Sequence, residues 1–483
     1  MNNNEKIQRN INKVDNFTEN KYHNAINFKH IHLIGIGGSG MYPLAQILKS
    51  NNFSITGSDN NETETVEAVR KMGIKVFMGQ KPENIIGADL VVYSAAISKD
   101  NPERAAAENT PGLAIWERSE LLGAISRMYP LTVGISGTHG KTTCTSMLTE
   151  IFHDSGADIT AVIGGKLKAI GGSGISGNSD IFVVESCEFN DTFLKLSPAV
   201  SVILNIDDDH MDYFKTMDNL KASFRHFADS ASTAVFINGD DENTVETVSG
   251  IEKPLISFGM TRNNTYYPKN IVKVSPFTTT FDIYKKQNNE EILITDIEMH
   301  VPGEHNILNV TAAAAIADFL GVKAPDIKQG IKNFRGAGRR FEKFGEKRGI
   351  VVCDDYAHHP TEISAVLKTA TTMGFKNVWA VHQPFTFSRT KTLLNEFAEA
   401  LSIADKVVLT DIFGGREVNT FDIHTEDLGK LIPGCIYYPE SNKEDNFNTV
   451  ADFVVKNAAD GDLIITLGCG DANKLARKIV ELL

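Results

Sequence analysis

The sequence has few cysteines and no excess of positive charge, and each shortage excludes a class of protein. No CxxC pair occurs, so a disulfide framework or a zinc site is not expected, and reduced thiols in a cytoplasmic protein are favoured. Lysine and arginine total 48 against 61 acidic residues, which gives a net charge of −13. A field of that sign repels nucleic acid and anionic membranes, so neither is expected as a partner. The widely spaced cysteines are Cys144, Cys187, Cys353, Cys435 and Cys469.

Long apolar runs are also missing. No stretch approaches the ~20 residues that a membrane-spanning helix requires. The first 27 residues contain nine asparagines and no apolar segment. We therefore expect a flexible tail there and no secretory signal. At 483 residues with 42% hydrophobic content, the chain should form about three globular domains.

A glycine-rich turn separates a predicted strand from a predicted helix near the end of the first third of the chain. Residues 132–136 have the apolar pattern of a buried strand, and Met147, Leu148 and Ile151 share one side of a helix over residues 142–153. The intervening Gly-Thr-His-Gly-Lys-Thr-Thr is typical of a loop whose backbone N–H groups bind phosphate at a helix N-terminus.

These residue types predict an ATP site. Lys141 would reach the β- and γ-phosphates, and the Thr142 hydroxyl would bind Mg²⁺. The motif is a shortened variant, because Ile135 stands where the general pattern has its first glycine. The alternative is an ordinary strand-to-helix turn that contains Gly-Lys-Thr by chance. The predicted ATP-binding residues of this turn are Gly137, Thr138, His139, Gly140, Lys141, Thr142 and Thr143.

A second glycine turn lies near the start of the chain. A strand over residues 29–35 leads into Gly-Ile-Gly-Gly-Ser-Gly, a helix follows, and Asp59 ends a second strand. This pattern predicts a diphosphate at a helix N-terminus, from either a dinucleotide such as NAD or a UDP group. Asp59 has an alternative role as a helix or turn cap. A later strand, residues 89–94, ends at Ser94, which offers a second wall for the nucleotide.

Two strands of the middle region end in polar side chains. Residues 180–185 end in Glu185, and residues 199–205 lead to a run of aspartates before His210. In P-loop enzymes the metal-binding acid follows a neighbouring strand, so Glu185 and His210 are predicted to bind metal together with Thr142. The aspartates at 207–209 are alternatively a solvated turn. A loop is expected at residues 171–179, between the P-loop helix and the strand at 180–185, because these residues are rich in glycine and serine.

A helix rich in alanine follows residues 302–309. His305, Asn306 and Asn309 stand at its start, where they could cap the helix or contact adenine.

The last third alternates strands with helices, which predicts a doubly wound parallel sheet with ligands at the carboxyl ends of its strands. Strands are expected near residues 350–353, 378–381, 407–410 and 463–466, and helices near 361–373, 390–403, 446–458 and 471–482. The strand ends carry Asp-Asp-Tyr-Ala-His-His-Pro, residues 354–360, and Phe-Ser-Arg-Thr, residues 387–390. A metal at the paired aspartates and histidines is disfavoured, because no third spaced ligand is present.

In this order the motifs resemble those of the Mur ligases over residues 29–483. They include GIGGSGM, GTHGKTT, ESCEFNDTFL, DHMDYF, GEHNILN, DDYAHHP and FSRT. The resemblance implies three α/β domains: a Rossmann-like UDP-sugar domain at 28–127, a central P-loop ATPase-type domain at 128–337, and a Rossmann-like amino-acid domain at 338–483. GIGGSGM and DDYAHHP favour the family members that add L-alanine over those that act later.

The resemblance also implies a reaction in peptidoglycan precursor synthesis. ATP phosphorylates the lactoyl carboxylate of UDP-N-acetylmuramate, and the amine of L-alanine attacks the acyl phosphate to release phosphate. Catalysis would rest on positioning and charge stabilisation, with Lys141, Glu185 and His210 as the catalytic residues and ATP with Mg²⁺ as cofactors. We expect a monomer or a weak homodimer.

Site residues follow from the matching motif positions. The UDP-sugar would be held by Gly35, Gly37, Gly38, Gly40, Asp59 and Ser94, with His139 facing the sugar acid. His305, Asn306, Asn309 and Arg340 would contact ATP. Tyr356, His358 and Arg389 would line the alanine pocket.

The sequence departs from the family pattern in places. Phe385 and Thr386 stand where some relatives have His-Arg, and His382 replaces an apolar residue. No lysine is assigned to the carbamylated position that other members use. Three rival functions are a sibling ligase that attaches a preformed peptide, an NAD-dependent oxidoreductase, and a P-loop switch without chemistry. The second nucleotide motif disfavours the oxidoreductase, and Glu185 with His210 disfavours the switch.

Overall fold

The computed structural model describes residues 26–483, apart from residue 416 and residues 440–443. The flexible tail expected over residues 1–27 therefore falls almost entirely outside the described residues. Ile26, at its end, is buried in the hydrophobic core. Two compact units are present. Unit 1 contains the described residues up to Val272 together with Thr280–Met299 and Glu304–Phe334, and unit 2 contains Lys273–Thr279, His300–Gly303 and Arg335–Leu483.

Unit 1 begins with a five-stranded sheet in the order β3-β2-β1-β4-β5, with all neighbours parallel. Because successive strands are parallel, their carboxyl ends meet at one edge, where the glycine turn after β1 lies. The strands are β1 (His30–Ile34), β2 (Ser54–Asp59), β3 (Lys75–Met78), β4 (Leu90–Tyr93) and β5 (Ala114–Glu117). The helices are α1 (Tyr42–Ser50), α2 (Glu64–Lys71), α3 (Pro102–Glu108) and α4 (Arg118–Ser126), with a 3₁₀ helix at Pro82–Ile85.

A ten-stranded sheet follows in the order β15-β14-β13-β12-β11-β10-β6-β9-β7-β8. Its central strands are fully buried runs, as parallel strands covered on both faces require. The strands are β6 (Leu131–Ser136), β7 (Thr160–Leu167), β8 (Gly172–Ile175), β9 (Ile181–Glu185), β10 (Val200–Ile203), β11 (Ala234–Asn238), β12 (Leu255–Phe258), β13 (Tyr266–Ser275), β14 (Thr278–Gln287) and β15 (Glu290–Met299).

The helices of this region include the one that the glycine-rich turn was predicted to open. They are α5 (Lys141–Asp154), α6 (Met211–Phe214), α7 (Met217–Ser230), α8 (Glu242–Thr247), α9 (Glu304–Phe319) and α10 (Ala324–Asn333), with 3₁₀ helices at Lys168–Ile170 and Phe189–Lys195. Side-chain caps fix two of the starts, since Thr216 accepts from the Asn219 amide and Asp241 from the Thr244 amide.

The loop expected at residues 171–179 is wrong in part. Residues Gly172–Ile175 form β8, an edge strand that pairs antiparallel with β7. Glycine suits this position because Gly174 lies against Pro43, where a Cβ would come within 2.6 Å of the proline Cβ. A close approach of this kind cannot be inferred from composition, which favours a loop.

Unit 2 is built on a six-stranded sheet in the order β16-β17-β21-β18-β19-β20. All neighbours are parallel except the edge strand β16, which is antiparallel to β17. The strands are β16 (Glu342–Lys347), β17 (Ile350–Asp355), β18 (Val378–His382), β19 (Lys406–Leu409), β20 (Ile436–Tyr437) and β21 (Leu463–Leu467). The helices are α11 (Pro360–Thr371), α12 (Phe387–Thr392), α13 (Leu394–Leu401), α14 (Thr425–Gly429), α15 (Glu444–Asn457) and α16 (Ala472–Leu482).

The single helix expected over residues 390–403 is instead two. Leu393, with φ −112° and ψ 31°, leaves helical geometry between α12 and α13. The α12 segment therefore starts earlier, at Phe387, and includes Arg389. Across the described residues, no helix has both the length and the apolar character needed to cross a membrane.

Candidate active site

The glycine-rich turn after β6 is closely packed on both sides. Gly140 precedes α5 with φ 84°, and a Cβ there would lie 2.7 Å from the Asn309 Oδ1 atom. Gly137 has φ 139°, and a Cβ there would meet the Leu204 Cβ at 2.9 Å. Both positions require glycine, because a side chain would be strained and would push the loop away from its neighbours.

Lys141 lies inside this turn. Its ammonium group donates to the carbonyls of Gly137 and Thr138, at 2.5 and 3.0 Å, and to the Glu188 Oε1 atom at 2.9 Å. Glu188 is 1% exposed, and within the described residues its Oε2 atom has no hydrogen-bond partner. A buried carboxylate oxygen without a partner is costly, so this side chain is suited to a cation or a bound ligand.

Glu188 was not predicted. It lies three residues after Glu185, within the same motif that follows β9. A second acid so close to a strand end beside the P-loop was the signal available in the sequence.

Glu185 connects two elements. Its Oε1 atom accepts from the Thr142 hydroxyl at 3.0 Å, and its Oε2 atom accepts from the Gly164 amide at 2.6 Å. A Cβ on Gly164 would lie 2.5 Å from Oε1, so glycine is needed for this approach. Thr142 and Glu185, both predicted to bind metal, therefore lie in contact with each other.

His210 lies beside Glu188 instead of in contact with Thr142 or Glu185. Its Nε2 atom is 4.0 Å from the Glu188 Oε1 atom, and its ring packs 4.8 Å from that of Phe189. The residue has φ 55°, a left-handed conformation that is uncommon outside glycine and clusters at functional sites. In the part of the chain that the structure describes, no group of three or more His, Cys, Asp or Glu side chains is arranged to hold a metal ion.

Residues after β10 hold the turn from its other side, and sequence reasoning missed them. The Asn205 amide group accepts from the His139 backbone N–H at 2.8 Å and donates to its carbonyl at 3.1 Å. The Asp207 amide donates to the Thr138 hydroxyl at 2.9 Å. The His139 side chain is about half exposed, with its Nε2 atom 3.4 Å from Asp207. The run at 207–209 is exposed, as the solvated-turn alternative expects.

The start of α9 also lies against the turn. Asn306 and Asn309 are both buried, and the Asn309 amide donates to the Asn306 Oδ1 atom at 3.1 Å. His305 has a lowered pKa because of its removal from water and the neighbouring His139. Thr143 lies one residue further along α5, in its first turn. These residues therefore surround the P-loop.

A cleft of about 420 Å³ runs from the first glycine turn to Glu185. Its wall includes four of the predicted UDP-sugar residues, and it reaches the middle region at Ile163, Gly164 and Cys187. The four are Gly35, Gly38, Gly40 and Ser94.

Gly37 and Asp59 do not line this cleft. A Cβ on Gly37 would lie 2.5 Å from Val66, and the Gly37 amide donates to the Asp59 Oδ2 atom at 3.0 Å. The Asp59 Oδ1 atom accepts from the Asn61 amide at 3.1 Å. Asp59 thus closes the turn by hydrogen bonds, which is the capping alternative.

In unit 2 the predicted alanine residues lie together at the carboxyl edge of the sheet. The His358 ring is 5.4 Å from that of Tyr356 and 6.2 Å from that of Phe385, and the Arg389 guanidinium is 6.0 Å from the Phe385 ring. Burial lowers the pKa of His358, against the opposing effect of Glu362. The Arg389 Nη1 atom is buried and has no hydrogen-bond partner in the described chain.

Two aspartates at the end of β17 hold the segment that contains Arg340. The Arg339 Nε atom donates to Asp354 at 3.0 Å, and the Phe341 amide donates to Asp355 at 2.7 Å. Arg339 and Phe341 both have positive φ, at 60° and 48°. Burial raises the pKa of Asp355 to about 6, against the opposing effect of Arg340. The backbone on each side of Arg340 is therefore fixed by buried carboxylates.

Three family models match this chain in sequence order. They are the Mur ligase family catalytic domain over residues 30–130, the Mur ligase middle domain over 135–317, and the Mur ligase glutamate ligase domain over 339–470. A UDP-N-acetylmuramate–L-alanine ligase from Caldicellulosiruptor bescii is 44% identical over 447 residues, which cover 91% of this chain and 96% of the relative.

Two solved structures of ligases share the fold of this chain. The crystal structure of UDP-N-acetylmuramate-alanine ligase from Thermotoga maritima is similar with a TM-score of 0.77 at 26% identity, covering 94% of this chain and 99% of that one. A murein peptide ligase from Psychrobacter arcticus shares the fold with a TM-score of 0.68 at 22% identity, covering 94% and 98%.

Proposed function

This chain belongs to the Mur ligase family, and from that premise we propose that it joins L-alanine to the lactoyl carboxylate of UDP-N-acetylmuramate, converting ATP to ADP and phosphate. The product is a precursor of peptidoglycan. The family depends on ATP, and the P-loop after β6 is the element that would bind it.

One observation carries the proposal. A single cleft begins at the glycine turn after β1 and ends at Glu185, which contacts the P-loop residue Thr142. A UDP-sugar with its diphosphate at the glycine turn would extend its acid toward the P-loop. An elongated anionic substrate of this kind fits the cleft better than a short one.

The first half-reaction transfers the γ-phosphoryl group. A carboxylate oxygen attacks the γ-phosphorus, the bond to the ADP oxygen breaks, and an acyl phosphate forms. Negative charge spreads over the transferring oxygens, and the Lys141 ammonium would stabilise it from its position inside the turn. Glu188 holds that ammonium in place through its 2.9 Å contact.

The side chains beside the P-loop offer ligands for a divalent cation, although among the described residues they do not form a complete metal site by themselves. The Thr142 hydroxyl, the Glu185 carboxylate and the unpaired Glu188 oxygen are hard oxygen donors of the kind that Mg²⁺ prefers, and His210 lies beside Glu188. When bound, Mg²⁺ would neutralise phosphate charge and orient the phosphate groups. We assign Thr142, Glu185 and His210 to the Mg²⁺ site, and we add Glu188 to these three.

The second half-reaction forms the amide. The alanine amine, after losing its proton, attacks the carbonyl carbon, and the carbon–oxygen bond to phosphate breaks. We assign the alanine carboxylate to Arg389, whose Nη1 atom is buried and unpaired among the described residues, and the pocket walls to Tyr356 and His358. Arg340, His305, Asn306 and Asn309 remain assigned to ATP.

Phosphate release measured with ATP, UDP-N-acetylmuramate and each amino acid in turn tests the proposal. L-alanine should give the highest kcat/KM. A control arm uses a preformed peptide as the acceptor. If the peptide is preferred over L-alanine, the chain is the sibling ligase, and if no acceptor stimulates release, the ligase proposal fails.

A further inference from the structure

A loop of unit 2 contacts the helix that carries Arg389, although neither the sequence motifs nor the family resemblance gave that loop a role. Gly414, Gly415 and Glu417 belong to it and follow the end of β19. Arg389 lies on the six-residue helix α12. Glu417 contacts Ser388, the residue before Arg389, from 29 positions further along the chain. The loop and the helix therefore meet beside the predicted alanine pocket.

Glu417 caps the start of α12 from another part of the chain. Its Oε2 atom accepts from the Ser388 backbone N–H at 2.9 Å, and its Oε1 atom accepts from the Ser388 hydroxyl at 2.5 Å. An N–H group in the first turn of a helix normally bonds to the side chain of the residue before the helix. Thr386 holds that place, but within the described structure its side chain makes no such bond. The Glu417 carboxylate supplies the missing acceptor.

The Glu417 side chain is ionised at neutral pH. Burial opposes its charge, but hydrogen bonds from Ser388 and Thr386 outweigh that effect and lower the pKa of the carboxyl below its ordinary value. A carboxylate accepts hydrogen bonds more strongly than a neutral group does. The contact with Ser388 is therefore a strong one for a single side chain.

The glycines of the loop allow it to approach the aromatic rings on each side of the helix start. A Cβ on Gly414 would lie 2.5 Å from the Phe387 ring, and a Cβ on Gly415 would lie 3.0 Å from the Phe385 ring. The Arg389 guanidinium lies 6.0 Å from the same Phe385 ring. The loop thus packs against the ring beside the guanidinium as well as against the backbone that carries it.

We infer that Glu417 is a positioning residue for the second half-reaction. By holding Ser388, it fixes the direction in which the Arg389 side chain leaves α12. The Arg389 Nη1 atom, buried and unpaired among the described residues, is then held ready for the alanine carboxylate. Glu417 acts through the helix and not by contact with the substrate. The inference rests on the proposed function, because it takes Arg389 as the group that binds alanine.

Alanine-dependent phosphate release by Glu417→Ala, Arg389→Ala and the double variant tests the inference. Glu417→Ala should raise the KM for alanine by about three- to tenfold, which is no more than the loss of the guanidinium itself. In a chain that already lacks Arg389, Glu417→Ala should raise this KM no further, because the group that it positions is gone. Isotope exchange between ADP and ATP with UDP-N-acetylmuramate and phosphate should persist in all three variants.

Two further variants separate positioning from loss of the fold. Glu417→Gln keeps the size of the side chain and one acceptor oxygen, so its KM for alanine should lie between those of wild type and Glu417→Ala. Glu399→Ala, which removes an exposed acid of α13, should behave as wild type.

Three results would overturn the inference. An unchanged KM for alanine in Glu417→Ala would show that the contact with Ser388 does not affect the pocket. Equal increases with and without Arg389 would show that the effect does not pass through that arginine. Loss of isotope exchange would indicate general damage to the protein. In all three cases wild type still releases phosphate in response to alanine. Absence of that response in wild type would instead refute the proposed function, and this inference with it.

Discussion

At Lys141, one ammonium group is shared between two backbone carbonyls and a buried carboxylate, Glu188. Such a group is already held in place, so little reorganisation would be needed if phosphate oxygens replaced the carbonyls as its partners, as the proposed mechanism requires. The carboxylate fixes the direction of the ammonium.

Lys141→Ala should therefore keep the fold and lose turnover. A methyl group cannot supply the charge at the transferring phosphate, and a contact of this type contributes about 3 kcal/mol or more, which is roughly a hundredfold in rate. Phosphate release is the measurement. Lys221→Ala, which removes a part-buried lysine paired with Glu246, is the matched control and should behave as wild type. Near-normal release by Lys141→Ala would remove the P-loop from the mechanism.

Arg389 permits a test that separates the two half-reactions. Arg389→Ala should raise the KM for alanine by about tenfold or more, as expected for the loss of a charge-assisted hydrogen bond. Isotope exchange between ADP and ATP with UDP-N-acetylmuramate and phosphate should persist, because the acyl phosphate forms without alanine. Lys391→Ala, an exposed cation on the same helix, is the control. Loss of exchange would mean that Arg389 acts on ATP, and an unchanged KM would refute its assignment.

Among the elements, the approach of β7 to β9 shows how backbone packing positions a carboxylate. Gly164 on β7 donates to Glu185 at the end of β9, and the same carboxylate accepts from Thr142 at the start of α5. Three elements thus meet at one side chain.

Gly164→Ala should displace Glu185, since the new Cβ would lie 2.5 Å from its Oε1 atom. Overpacking of this kind costs about 1–3 kcal/mol, and we expect kcat to fall by a factor on the order of 10 to 100 as Glu185 moves from Thr142. Steady-state phosphate release measures kcat. Gly172→Ala, on the adjacent strand β8 where the nearest atom lies 3.8 Å away, should change kcat little. Full activity of Gly164→Ala would show that the position of Glu185 is not critical.

The stability of unit 2, which contains the turn around Arg340, should depend on pH through Asp355. Burial raises the pKa of Asp355 to about 6, above its unfolded value, so the stabilising contribution of its protonated form is complete at low pH and is lost as pH rises through about 6. Asp355→Asn, which cannot ionise, should escape this loss. Relative to wild type it should gain about 1–3 kcal/mol in unfolding free energy between pH 4.5 and pH 7.5.

Urea unfolding of unit 2 measures the difference. Trp379 is buried in unit 2, so its fluorescence reports the unfolding of that unit. Trp116 lies in unit 1 and is first replaced by phenylalanine in both the wild-type and the Asp355→Asn protein. A constant difference between Asp355→Asn and wild type across this range would contradict the raised pKa.

Elements with strong periodicity could be predicted from the sequence, and contacts between distant segments could not. β6 and α5 lie within a residue or two of their predicted bounds. An apolar strand, a glycine turn and an amphipathic helix each have a distinct sequence pattern, and together these patterns determine the local structure. The edge strand β8 was missed because its pairing with β7 outweighs its glycine content. Glu188 and Asn205 were missed because their roles depend on folding that brings them to the P-loop.

On the scale of the whole molecule, net charge and local charge act in opposite directions. The chain carries −13, yet each of its predicted organic ligands carries at least one anionic group. The cationic side chains that would bind them are few: Lys141 in the P-loop, and Arg340 and Arg389 in unit 2. Replacing any one of these should therefore affect one ligand and spare the others. The two matched pairs of variants described above, Lys141→Ala with Lys221→Ala and Arg389→Ala with Lys391→Ala, test that independence together.

The division of the chain into units has a consequence for biosynthesis. Residues 273–279 and 300–303 belong to unit 2 but are separated from its main part, Arg335–Leu483, by segments of unit 1. Phe277, in the first of these segments, packs against Phe341 and Phe375. A ribosome delivers residue 334 with all of unit 1 complete, whereas these two short segments of unit 2 still lack their partners. Unit 1 can fold during translation, and unit 2 has to wait until the last strand and helix have emerged.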